Sequence, residues 1–398
     1  MSMNSISETN NGIGYFLSSN IQHIPPVIQL YPHLKGTIIT TNVKVRDLLM
    51  TKYADLNIPL IYCKSIKEAR KTARELQLRV IVYTGYSLLN CGKAVQIFHG
   101  GLSDKRYLES ARLICYDLVL FPGQKSHDKV ELATTLPWIK ECQIVGYPKF
   151  DSVVKGECTP AELFSNERKT ILYAPTWVSQ LTRTAIGERS DHGESSLLIW
   201  SLAIIEQLAD KYNLILKFHS NLHEDKSTIY QEVAELIESR NLQDTVKTVV
   251  DDNIVPYMAA SDLMISDISS VCYEWLHFNK PILFANPAPG KYTVGKTITD
   301  NTYVWQAGDV FDTPEQISVL ADRALTTDDK SDVRKKIFEY AVFQADGHAA
   351  ERQATHIKNA YERVKNRSWP LFYLECFMRL RVKRFLASIF RYTKNIPR

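Results

Sequence analysis

Two histidines stand at matching places in this chain. His99 closes an apolar run and precedes two glycines in IFHGGLSDK (97–105). His219 closes LILKFHSN (214–221), with Lys217 two residues earlier on the same side of an extended segment. An imidazole titrates near neutrality, so it can take a proton from a hydroxyl or donate to an oxyanion. Gly100 and Gly101 would let backbone amides approach a ligand closely. Lys217 beside His219 suits a diphosphate: the ammonium offsets charge and the imidazole donates a hydrogen bond. Plainer alternatives stand beside both: His99 as a core histidine next to a tight turn, and Lys217 with His219 as an exposed pair at a sheet edge. Ser103 and Asp104 would cap a helix after the first histidine.

A third signal is SDISSVCYEWLHFNKP (266–281), read as strand, Ser-Asp, Ser-Ser, helix. Asp267, Ser269 and Ser270 there make a candidate phosphate or polyol site. Hydroxyls and free amides meet at a helix start, where the dipole favours an anion. Ordinary N-capping by Ser269 is the competing reading. DGHAAER (346–352) is a second turn into a helix, with Arg352 able to point back at the same phosphate or the turn serving only as a cap. Pro175, Thr176 and Trp177 follow a strand and are expected to line the nucleotide site or cleft. The chain has no HExxH, CxxC, GxxxxGK[ST] or strand-flanked DxD, so neither a metal hydrolase nor a P-loop enzyme is expected. Asp251-Asp252 reads as a loop.

The elements that must position these residues alternate along the chain. Strand-like runs occur at 14–18, 36–41, 58–63, 79–85, 94–100, 117–123 and 142–148. Several are continuous β-branched and aromatic runs, as in parallel strands buried on both faces. Helical patterns lie between them, among them Ser65–Leu76, opened by Ser65 and Glu68 as a capping box. A polar stretch (154–169) follows. The alternation then resumes with strands at 170–175, 213–219, 245–250, 262–266 and 281–286, interleaved with helices. The fold expected is α/β: two doubly wound domains facing across a cleft, with ligands at the carboxyl ends of strands. Expected boundaries are 1–155, 166–345, a last helix within 346–368, and a tail at 369–398.

Of 398 residues, 45% are hydrophobic and 23% charged, a globular balance. No apolar run approaches the roughly 18 residues of a spanning helix. The polar start predicts no secretory signal. The scattered cysteines are expected to be reduced, as in a cytoplasmic protein. The net charge of +4 is uneven. Residues 371–398 carry Arg379, Arg381, Lys383, Arg384, Arg391, Lys394 and Arg398 against Glu375, a segment of +6 that leaves the remainder at −2. At 100° per residue, Leu371, Leu374, Met378, Val382, Phe385 and Ile389 share one side and Lys383, Arg384, Arg391 and Lys394 the other. That pattern is expected to lie on an anionic membrane surface, with packing of the apolar side onto the protein as the alternative. No nucleic-acid partner is expected.

In this order the motifs resemble those of the CDP-glycerol glycerophosphotransferase family of teichoic-acid and capsule biosynthesis. The segments that carry the likeness are VGYPKFD (145–151), ILYAPTW (171–177), LILKFHSN, SDISSVCYEWLHFNKPILF (266–284) and DGHAAER. Two departures stand out: Ser220 where His-Pro is usual, and Gly101 where the family has His-Gly-Thr. The resemblance implies the GT-B arrangement, an acceptor domain and a nucleotide domain with the helix within 346–368 crossing back to the first domain. It implies His99 as general base on an acceptor hydroxyl and His219 stabilising the donor diphosphate. Asp267, Ser269 and Ser270, joined by Arg352, would hold phosphate or polyol. The implied activity moves a polyol phosphate, glycerol or a relative, from a CDP-linked donor to a lipid-linked or polysaccharide acceptor, releasing CMP. No resident cofactor is implied, and divalent-cation dependence stays open. The implied place is peripheral, on the cytoplasmic face of the membrane. Two alternatives remain: a GT-B glycosyltransferase using a nucleotide sugar in capsule or lipopolysaccharide synthesis, and a non-catalytic polymer-binding protein on the same fold.

Overall fold

A computed structural model of the chain describes residues 11–176, 195–218 and 228–394. It divides into two compact units: Met1–Gly101 with Glu109–Lys155 and Val342–Arg398, and Leu102–Leu108 with Gly156–Ala341.

The first unit is built on seven strands: β1 (Ile13–Leu17), β2 (Thr37–Thr40), β3 (Leu60–Tyr62), β4 (Val80–Tyr83), β5 (Lys93–Gln96), β6 (Leu118–Phe121) and β7 (Cys142–Ile144). They form one parallel sheet in the order β3-β2-β1-β4-β5-β6-β7. β1, β2, β4 and β6 are buried at every position, which explains their unbroken apolar reading. Ser65 caps the helix Ile66–Glu75 as expected, accepting from the Glu68 amide, but Glu68 reaches back to the amide of Lys64 rather than Ser65.

The second unit repeats the scheme with β8 (Thr170–Tyr173), β9 (Asn213–Lys217), β10 (Val246–Val249), β11 (Leu263–Ser266), β12 (Ile282–Ala285) and β13 (Asp309–Phe311). Its parallel sheet runs β10-β9-β8-β11-β12-β13. Both sheets therefore reverse strand order beside their first strand, the doubly wound, Rossmann-like pattern. The three-residue β13 went unread in the sequence.

A single helix, Trp369–Lys394, ends the described chain and belongs to the first unit. Its inward face carries Phe372, Cys376 and Ala387, all buried. Between them Arg379 Nη2 donates to Asp117 Oδ2 at 2.9 Å, and Lys383 Nζ donates to the Tyr116 carbonyl at 2.6 Å and Asp117 Oδ1 at 3.2 Å. Arg384 donates to Asn90. The expected apolar stripe is real and faces solvent: Leu371, Leu374, Met378, Val382, Phe385 and Ile389 are all exposed. The expected basic face is corrected in part. Lys383, one of that face, is turned onto the buried carboxylate of Asp117 together with Arg379, and Arg384 onto Asn90. The apolar side does not pack on the unit.

Candidate functional site

At the switch point of the first sheet, the carboxyl ends of β1, β4 and β5 bring together three segments: 18–23, 84–85 and 97–99. Phe98 sits in the left-handed region at φ +57°, a costly backbone for a residue with a side chain. Gln96 holds it there: its Oε1 accepts from the Phe98 amide at 3.0 Å while its Nε2 donates to the Gly85 carbonyl at 3.0 Å. The reversal carries His99 out of the strand line, and Tyr147 Oη donates to the His99 carbonyl at 2.9 Å. His99 is partly buried, with Nδ1 3.1 Å from the carbonyl oxygen of Thr84. A carbonyl only accepts, so Nδ1 carries the proton. In the neutral ring Nε2 is then the basic nitrogen.

Against this ring lies a second imidazole that the sequence reading missed. His23 is buried, its centroid 3.7 Å from that of His99 with the planes 31° apart, and its Nδ1 is 2.8 Å from Thr84 Oγ1. A signal was available: Pro25 and Pro26 open the helix Ile24–Leu30, fixing its start directly after His23 at the end of the first strand. Thr84 and Gln96 carried no comparable mark, whereas Tyr147 lies in the VGYPKFD motif. Gly100 and Gly101 are buried. A Cβ on Gly101 would lie 3.1 Å from Pro122 Cγ and 3.2 Å from Phe98 Cβ, and its carbonyl accepts from Ser126 Oγ. Gly101 thus serves close packing behind His99.

In the second unit, Pro175, Thr176, Asp267, Ser269 and Ser270 follow the carboxyl ends of β8 and β11. Asp267 is corrected from ligand to scaffold. Its fully buried carboxylate accepts from the amides of Thr176 and Ser196 and from Ser196 Oγ, which ties β8 to the helix Leu197–Leu208. Burial pushes its pKa up, opposed by those donors and by Lys105. Lys105 is itself buried and donates to Thr176 Oγ1 at 2.9 Å; burial lowers its pKa, with Asp267 opposing. Asp104 accepts from Tyr273 Oη at 2.6 Å and from the Val304 amide at 3.0 Å. Ser269 and Ser270 are half-buried, and the helix Val271–Trp275 begins without a side-chain cap, so capping is not what occupies their hydroxyls. Lys217 is buried, and its Nζ donates to the carbonyl of Asp251 at 2.8 Å, tying β9 to the loop after β10. His219 and Trp177 lie outside the described residues.

Arg352 has a structural post in the first unit. Nε donates to the Val145 carbonyl, Nη1 to both oxygens of Asp346, and Nη2 to the Gln344 carbonyl, at 2.8–2.9 Å. With each nitrogen so engaged, it is not set to hold a phosphate. The neighbouring Gly146 needs its φ of +93°, and a Cβ there would come within 3.0 Å of Arg352 Nη2. Asp151 caps the helix Ala349–Glu362 from a distance, accepting from the amides of Ala349 and Ala350 at 3.2 and 2.7 Å. The VGYPKFD and DGHAAER motifs are thus two halves of one joint. Among the described residues, His127, Asp128 and Glu131 lie close enough to share a cation, with ligand atoms within 4.8 Å of one another.

Residues 93–359, more than half of the chain, match the family CDP-Glycerol:Poly(glycerophosphate) glycerophosphotransferase. A teichoic acid poly(ribitol-phosphate) polymerase of Bacillus spizizenii is 26% identical over 121 residues, a stretch that is 30% of this chain and 17% of that protein. Among solved structures, the wall teichoic acid polymerase TagF aligns with TM-score 0.57 at 15% identity, covering 90% of this chain and 92% of that one. MnaA of S. aureus, solved with UDP, also aligns at 0.57, with 14% identity over 89% and 98% of the two chains. At these identities the structural likeness speaks to fold.

Proposed function

We propose, for a chain that belongs to the CDP-glycerol:poly(glycerophosphate) glycerophosphotransferase family, that it transfers a polyol phosphate from a CDP-linked donor to an acceptor hydroxyl. His99 is the general base. The observation that carries this is its tautomer: Nδ1 is committed to the Thr84 carbonyl, so Nε2 is the nitrogen that accepts a proton. The acceptor oxygen attacks the phosphorus that bears the polyol while Nε2 takes the hydroxyl proton. The bond to the bridging oxygen breaks, and CMP leaves. His219 is assigned to the donor diphosphate, and Ser269 and Ser270 to the transferred phosphate or polyol. The donor is a substrate, and the reading includes no resident cofactor. The acceptor is a lipid-linked or polymer hydroxyl.

The exposed stripe on Trp369–Lys394 supports peripheral attachment to a membrane, which the reading places on the cytoplasmic face. Among the described residues no helix is long and apolar enough to cross one. The test of the activity is direct. The full chain is incubated with CDP-glycerol, CDP-ribitol, UDP-sugars and a CMP-sugar, each with a lipid-linked glycerol-phosphate primer, and nucleotide release is measured. Release of CMP from a CDP-polyol supports the reading; release of nucleotide from a sugar donor alone replaces it with glycosyl transfer.

A further inference from the structure

We infer that His23 is a positioning residue for His99, holding its ring in the one orientation that leaves Nε2 as the base. The inference rests on the assignment of His99 as base but is tested separately from it. The torsion that turns an imidazole about its Cβ–Cγ bond is broad and close to two-fold, so a partly buried histidine can occupy two flipped orientations. Only one of them sets Nδ1 against the Thr84 carbonyl at 3.1 Å. The flipped ring would turn a carbon to that oxygen and lose the bond that selects the tautomer. A ring stacked at 3.7 Å takes the space through which His99 would turn.

His23 can do this because it is fixed independently of His99. It is buried, at the start of a helix opened by two prolines, and its Nδ1 meets Thr84 Oγ1 at 2.8 Å. Gly85 makes room for it: a Cβ there would lie 3.3 Å from His23 Cε1. Thr84 therefore serves both rings, with its hydroxyl for His23 and its carbonyl for His99. Phe98, held at positive φ by Gln96, supplies the backbone half of the same arrangement.

Two substitutions separate the stack from the hydrogen bond. His23→Phe keeps a ring and loses the bond to Thr84; His23→Asn keeps a polar group near Thr84 and loses the ring. Histidine-selective 15N NMR on the full chain reads the tautomer, with the His99 signals identified by their loss in His99→Ala. Wild type and His23→Phe should show one His99 tautomer protonated at Nδ1. His23→Asn should show a mixture, and kcat for CMP release should fall about 10- to 100-fold with KM for the donor unchanged, as for a misplaced base. A single Nδ1–H tautomer in His23→Asn would overturn the inference, as would an equal loss in both variants that follows their thermal stability. Full turnover by His99→Ala would sink the base assignment and leave the tautomer result standing.

Discussion

Replacing Val382 and Phe385 together with glutamate should detach the protein from lipid without unfolding it. The two side chains are 57% and 66% exposed on the outer side of the C-terminal helix. A fully buried Val or Phe is worth about 1.5–3 kcal/mol. Lipid would cover the part that the protein leaves bare, somewhat over half, so the pair contributes about 2–3 kcal/mol to attachment. Two carboxylates near an anionic surface oppose binding by about 1 kcal/mol each, by analogy with the attraction of a basic residue. The sum is about 4–5 kcal/mol, or on the order of a thousand-fold in partitioning. The assay is co-sedimentation with phosphatidylcholine vesicles, with and without phosphatidylglycerol, at low and high salt. Arg379 and Lys383 are engaged with Asp117, so apolar contact should dominate. Wild type should bind both vesicle types and lose only a small part of its binding in high salt. Binding confined to anionic vesicles and abolished by salt would refute the reasoning, as would unchanged binding by the double variant. Its melting temperature should match wild type, because neither side chain supports the core.

Arg352→Ala should lower stability by about 2–3 kcal/mol, since it removes a bidentate carboxylate pair and two carbonyl bonds, yet leave CDP-donor affinity unchanged. Thermal melting and calorimetry with the donor check the two halves. His277, against the rings of Phe278 and Phe338, has its pKa lowered from 6.5 by burial. The unfolded chain therefore binds that proton more readily, so its contribution is fully present above pH 6.5 and is lost as pH falls through the lower folded value. His277→Gln should flatten the decline in melting temperature below pH 6.5; an unchanged slope would count against it.

Much of the fold was legible because its strands are buried on both faces and read as unbroken apolar runs between capped helices. β13 escaped because three residues with an acidic start carry too little pattern. At the site, His99 was legible from its place before two glycines. What keeps it there was not: Thr84 and Gln96 are unremarkable in sequence, His23 is marked only by the two prolines after it, and the three meet only because β1, β4 and β5 are neighbours. The opposite happened at Asp267 and Arg352. Each looked like a ligand because a charge stood at a strand end or helix start, and each is instead paired within its own unit. Asp267 finds Ser196 far along the chain, and Arg352 finds a carbonyl from the other half of a joint. Local spacing reports that a charge is near a site, not which way it points. The C-terminal helix makes the same point: its two faces were plain at 100° per residue, but the buried Asp117 decides which one turns inward.

The central claim is that His99 removes the proton from the attacking hydroxyl. The measurement is CMP release from CDP-glycerol in the presence of a lipid-linked glycerol-phosphate primer, by wild type and by His99→Ala at equal concentration, with donor affinity determined in parallel. A general base is worth about 100- to 10,000-fold. The account predicts a loss in that range for His99→Ala, with donor affinity and melting temperature little changed. A variant that keeps more than about a tenth of the wild-type rate would contradict it.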